Sequence, residues 1–166
     1  MRAPAEPVTT TYASPLGPVL LAATDQGLAG LWFEGQRHWP PAAATWREQP
    51  AHDMLGRARR ALDAYFAGAG TAFDVPIDLS RGTAFQQAVW QALRAIPAGA
   101  TQTYAALAGR IGAPAAVRAV GAAVGRNPVS IFVPCHRVIG ATGALTGYAG
   151  GIERKAALLR LEGALH

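Results

Sequence analysis

The sequence is poor in the residues that staple or chelate. Its single cysteine, Cys135, excludes an intramolecular disulfide and any multi-cysteine metal site. The four histidines, His38, His52, His136 and His166, are scattered without ligand-like spacing, so no metal site is expected. No apolar run approaches the ~20 residues of a membrane span, and "MRAPAEPVTTTYASPLG" lacks the continuous apolar stretch of a signal peptide. Internal repeats and low-complexity tracts are missing too. The expectation is a soluble, cytoplasmic protein with no membrane partner and a reduced thiol. A chain of 166 residues can build one good-sized domain or two small ones without staples.

Acidic residues are scarce in the second half alone. Residues 1–80 carry six Arg against eight Asp and Glu, a balance of −2, whereas residues 81–166 carry eight Arg and Lys155 against Glu153 and Glu162, a balance of +7. Such asymmetry suits a second half that meets a polyanion; a merely basic soluble surface accounts for the same counts.

"VTTTYASPLGPVLLAATDQGLAGLWFEG" reads as three short strands broken at "SPLG" and "DQG", an antiparallel meander. Residues 35–50 read as an irregular connection. A helix follows, with Leu55, Arg59, Leu62 and Phe66 at helical spacing, Asp53 as its N-cap and Gly68 as its stop. "TAFDVPIDL" offers one more strand. In the second half, Thr83 and Gln86 form a capping-box pattern ahead of an apolar stripe of Phe85, Val89, Trp90, Leu93 and Ile96. A short helix capped by Thr103 and stopped at Gly112 precedes one with Pro114 in its first turn and Gly125 as its C-terminal cap, a helix-turn-helix candidate. The second of these is slim, built of Ala and Gly with Arg118 as its one long polar residue. It can approach a packed core or a groove of DNA. A β-type run from Val129 to Val133 leads into "PCHR", a Gly-rich loop follows, and a last helix turns Ile152, Ala156, Leu158 and Leu159 inward and ends at Gly163.

A cysteine is a strong nucleophile only as thiolate, which requires a nearby cation, base or helix end. His136 is next in sequence, but neighbours on a strand point to opposite faces. Pro134 before the thiol suggests a bend that relaxes this rule. A buried, inert core thiol is the competing reading.

"RAVGAAVGRNPVSIFVPCHRVIGATGALTGYAGGIERKAALLRLEG" closely resembles the active-site half of the O6-alkylguanine-DNA alkyltransferases, with PCHRV, the RAVG helix and the GYAGG loop in order and at the family's spacing. The resemblance implies an α+β protein of two domains. Residues 1–80 would form a small mixed α/β domain of ribonuclease H-like type, and residues 81–166 a mainly helical domain for DNA binding and alkyl transfer. It implies direct-reversal repair, in which the alkyl group of O6-alkylguanine (less efficiently O4-alkylthymine) in double-stranded DNA passes irreversibly to Cys135, with no cofactor. His136 would be the base, Glu162 its orienting carboxylate, and Asn127 the tie between the helix-turn-helix and the active-site segment. Tyr104 would crowd the target phosphate and hydrogen-bond the guanine. Arg118 would enter the stack vacated by the flipped nucleotide, with Ala119 and Gly121 on the same minor-groove helix. Val138, Tyr148, Ala149, Gly150 and Lys155 would line the alkylguanine pocket. Ala149 departs from the Ser of many relatives, and Val124 from the Asn of bacterial ones. The cysteines that hold a structural zinc in some relatives are absent. The implied protein acts as a monomer, with cooperative binding along DNA left open. A lesion sensor is disfavoured by Cys135, and a helix-turn-helix regulator by the paucity of base-reading side chains. A cysteine hydrolase would need an oxyanion hole and turnover.

Overall fold

The computed structural model describes residues 6–70 and 73–165. The chain divides into two compact units, one ending at Arg81 and the other beginning at Gly82.

In the first unit, β1 (Val8–Ser14), β2 (Gly17–Thr24) and β3 (Gly27–Phe33) form the expected antiparallel meander, with Thr10 facing Leu21 and Leu21 facing Leu31. Residues 35–50 are more ordered than expected. Pro41–Thr45 make a 3₁₀ turn, and β4 (Arg47–Glu48) pairs in parallel with β1, so that the sheet runs β3-β2-β1-β4. Helix α1 (Asp53–Phe66) covers the sheet with Leu55, Ala58, Leu62 and Tyr65. Its buried stripe is one position removed from the expected Arg59 and Phe66. The N-cap is His52, not Asp53: the Met54 N–H donates to its Nδ1 at 3.2 Å. Asp53 occupies the first helical position, where a carboxylate still favours the positive end of the helix.

Of the strand expected over residues 71–79, the described residues 73–79 form no ladder. Thr71 and Ala72 lie outside the described residues, and beyond them a single parallel bridge joins Leu28 to Ile77. Pro76 has no N–H for a longer ladder, but its carbonyl accepts from Leu28 N at 2.8 Å while Asp78 N donates to Leu28 O at 2.8 Å. This segment covers the β3 edge, which explains why every residue of β3 is buried. The approach is so close that a Cβ on Gly27, whose φ is +149°, would lie 2.4 Å from the Pro76 oxygen.

The second unit is mainly helical. The capping box of Thr83 and Gln86 opens α2 (Ala84–Arg94), which buries Val89, Trp90 and Leu93, with Ile96 just beyond it. Phe85, expected in this stripe, is instead exposed on the first turn. Thr103 caps α3 (Tyr104–Arg110), accepting from Ala106 N at 3.1 Å, and α4 (Val117–Gly125) packs against both α2 and α3. The Trp90 indole N–H donates to the Ala123 carbonyl at 2.8 Å and locks α2 to α4. Helix α4 begins later than expected. Pro114 belongs to the preceding turn, closed by Ala116 N to Ala113 O at 2.9 Å, and Gly125 is the last helical residue before the cap Arg126. Helix α5 (Ile152–Leu161) buries Lys155, Ala156, Leu158 and Leu159 but leaves Ile152, at its first position, exposed. A two-residue parallel pair, β5 (Gln102–Thr103) with β6 (Val138–Ile139), brings the start of α3 beside the chain that follows Cys135.

Replacing Gly27 by Ala drives a methyl into backbone that cannot step aside. It is expected to destabilise the protein by about 1–3 kcal/mol, seen as a lower urea midpoint with unchanged slope.

Candidate active site

The run Val129–Val133 is a tight turn rather than a strand. Val133 N donates to Val129 O at 2.9 Å and Phe132 N to Ser130 O at 3.0 Å. At its apex Ile131 has φ +75°, the left-handed region that a β-branched residue rarely enters, and it is buried. The Asn127 side chain holds both ends: its Oδ1 accepts from Val129 N at 3.0 Å and its Nδ2 donates to Val133 O at 2.7 Å. The turn delivers Pro134 and then one 3₁₀ turn, Cys135–Arg137. The thiol therefore sits at a helical bend, where the opposite-face rule of a strand does not apply.

Cys135 is 6% exposed, and His136 is fully buried. The His136 ring meets Glu162 through Nε2 and Oε2 at 2.8 Å, with both side chains wholly buried. Glu162 caps the C-terminal end of α5, which is how a residue 26 positions away reaches the histidine. Arg137 joins them, its Nε donating to Glu162 Oε1 and its Nη2 to Oε2, both at 2.8 Å, while Nη1 donates to the Ile96 carbonyl at 2.6 Å. Sequence reading missed Arg137. It stands inside the PCHR motif, yet no local pattern ties it to Glu162.

Lys155 is 0% exposed, and its Nζ donates to the carbonyls of Val138 at 2.5 Å and Thr146 at 2.8 Å. The Thr146 carbonyl also accepts from the Tyr104 hydroxyl at 3.3 Å. The loop before α5 is thus pinned from α3 and from α5. Tyr148 and Gly150 are buried and Ala149 is half-buried on this loop, while Val138 is buried on β6. Gly121 lies under the Tyr104 ring, where a Cβ would stand 3.8 Å from Cδ1. Arg118 and Ala119 do not join the cluster; they face outward on α4.

Two family models cover the chain: 6-O-methylguanine DNA methyltransferase, ribonuclease-like domain, over residues 8–79, and the DNA binding domain of the same enzyme over residues 84–164. The chain belongs to the 6-O-methylguanine DNA methyltransferase family. The methylated-DNA–protein-cysteine methyltransferase of Mycobacterium tuberculosis H37Rv is 53% identical over 152 residues, covering 92% of this chain and 90% of that one. Its counterpart in Methanosarcina acetivorans is 48% identical over 92% of this chain and 96% of its own. The crystal structure of Mycobacterium tuberculosis OGT in complex with DNA superposes with a TM-score of 0.84 at 51% identity, covering 93% of this chain and 91% of that one. The α+β architecture is that of the methyltransferase family, a ribonuclease-like part followed by a DNA-binding part.

Burial sets the electrostatics of this candidate site. It pushes the Cys135 thiol up, against the opposing pull of the Asn127 and Ser130 side chains and the Lys155 charge. It pushes His136 down, against the Glu162 carboxylate. In both groups burial favours the neutral form, the thiol of Cys135 and the uncharged imidazole of His136. Lys155 is lowered to about 8, again by burial first, with Cys135 opposing. No helix among the described residues is long and apolar enough to cross a membrane.

Two outcomes follow. The thiol should react slowly with iodoacetamide at neutral pH and accelerate as pH rises through a value above the ordinary thiol range, measured by the rate of mass gain at Cys135. Asn127→Ala orphans two buried backbone groups at about 1–3 kcal/mol each; it should lower the urea midpoint and slow that labelling further, since one of the groups that pull the thiol down is lost.

Proposed function

We propose that this protein repairs alkylated DNA by direct reversal, moving the alkyl group of O6-alkylguanine in duplex DNA onto Cys135 in a single, irreversible transfer. The observation that carries the reading is the secluded Cys135, set by the Asn127-held turn beside the buried His136–Glu162 pair. A hydrolase would need water and turnover at this thiol. A transferase that stops at a thioether needs only one deprotonation. Cys135 Sγ attacks the alkyl carbon, the S–C bond forms, the C–O6 bond breaks, and its electron pair stays on the base. The thiol proton passes by way of His136 to the guanine, so atoms and charge balance without an oxidant, reductant or cofactor. The relatives' names support the reading, since they are methylated-DNA–protein-cysteine methyltransferases.

A guanine inside a duplex keeps its O6 substituent away from a thiol this buried. The base must therefore leave the stack, at ~a few kcal/mol. Helix α4 turns Arg118 and Ala119 outward, which suits a slim helix in the minor groove whose arginine fills the gap left behind. Tyr104 would donate to the extruded base, while Tyr148, Ala149, Gly150, Val138 and Lys155 form its receptacle. O4-alkylthymine, with a different ring, would be a poorer substrate. The protein acts as a monomer in the cytoplasm, on double-stranded DNA.

The decisive experiment is intact-mass measurement after mixing with duplex DNA that holds one O6-methylguanine. One methyl per protein, mapped to Cys135 and missing in Cys135→Ala, is expected. Tight binding without a mass change would assign the fold to lesion sensing instead. Arg118→Ala should slow the transfer at least about tenfold on duplex while sparing reaction with the free base O6-benzylguanine, since the free base need not be flipped.

A further inference from the structure

Glu162 is held more tightly than orienting a histidine requires. Its carboxylate takes the His136 ring on Oε2 and both prongs of the Arg137 guanidinium, one on each oxygen, all at 2.8 Å. The third donor of Arg137 is fixed at 2.6 Å to the Ile96 carbonyl just after α2. A bidentate guanidinium sets the plane of a carboxylate as well as its charge, and the Ile96 anchor prevents this fork from pivoting. The side chains involved are 0–7% exposed, so little solvent screens them.

Two consequences for the ring follow. A carboxylate already matched by a guanidinium exerts only part of its pull toward a cationic imidazole. Because it can only accept, it still requires the hydrogen of a neutral ring to sit on Nε2. That leaves the lone pair on Nδ1, which is buried and has no hydrogen-bond partner among the described residues. We propose that Arg137 is a positioning residue for alkyl transfer: by neutralising and orienting Glu162 it keeps His136 as the neutral Nε2–H tautomer, with Nδ1 free to take the Cys135 proton.

The charged groups that act on the ring are Glu162 and Lys155 from α5 and its cap, and Arg137 on its own turn; burial, the largest influence, together with both cations favours the neutral form against Glu162 alone. Removing the guanidinium leaves the Glu162 charge to His136. The ring then protonates at higher pH, and the base is lost over a window in which the native protein still has it.

The inference rests on the alkyl-transfer reading, and the tests separate the two. In the native protein without DNA, long-range ¹H–¹⁵N spectra of His136 should show a neutral ring at neutral pH with its hydrogen on Nε2. A cationic ring, or a hydrogen on Nδ1, overturns the role of Arg137 whether or not the protein transfers alkyl groups. In single-turnover assays on O6-methylguanine duplex, Arg137→Gln should move the acid limb of the rate profile up by about one pH unit. The variant's deficit relative to pH 8.5 should then grow as pH falls and approach about tenfold only at pH values below both limbs. Arg137→Lys keeps the charge without the fork, so its limb should stay close to the native one while the rate falls at all pH values. An Arg137→Gln profile that is lowered evenly and not displaced would make Arg137 a structural tie only. If that variant fails to fold, the native tautomer still decides.

Discussion

The geometry of the thiol depends on one side chain, the Asn127 amide. It accepts from Val129 and donates to Val133, so the six residues between it and Pro134 cannot relax into an extended strand. With the two backbone hydrogen bonds of the turn, that clamp holds Ile131 at positive φ, a state that costs a β-branched residue on the order of 1–3 kcal/mol. Asn127 lies two residues beyond the end of α4. The end of α4 and the loop that leads to Cys135 are thus tied by two hydrogen bonds from one side chain.

Around that turn the second unit collects charges where a protein interior usually has none. His136, Arg137, Glu162 and Lys155 are all withdrawn from solvent. Isolated, each would be costly to bury; together they are paired or spent on carbonyls. The cost of desolvation reappears as chemistry. A thiol raised by burial and an imidazole lowered by it favour a neutral Cys135 and a neutral His136 amid these charges.

Elements and their caps were legible in the sequence wherever the information is local. The capping box at Thr83, the Thr103 cap and the meander turns are set by residues three or four apart, and they stand where expected. The errors share one origin, which is that tertiary neighbours decide burial. Phe85 and Ile152 have the right periodicity but sit in the first turns of their helices, beyond the reach of the core. The strand expected at 129–133 has β-type residues, yet the Asn127 clamp folds it into a turn. Glu162 and Lys155 look like surface residues in sequence, and only the resemblance to a family singled them out. Arg137 escaped even that, because its partners Glu162 and Ile96 lie 25 and 41 residues away.

The anchor at Lys155 has a property that follows from counting its hydrogens. As an ammonium, Nζ carries three donors, and two serve Val138 and Thr146. With a midpoint lowered to about 8, the group loses a proton not far above neutrality. The amine that remains has two N–H bonds for the same two carbonyls. The link between α5 and the loop bearing Tyr148 therefore survives in either charge state: the lysine can change its charge as its surroundings change without letting go of the loop.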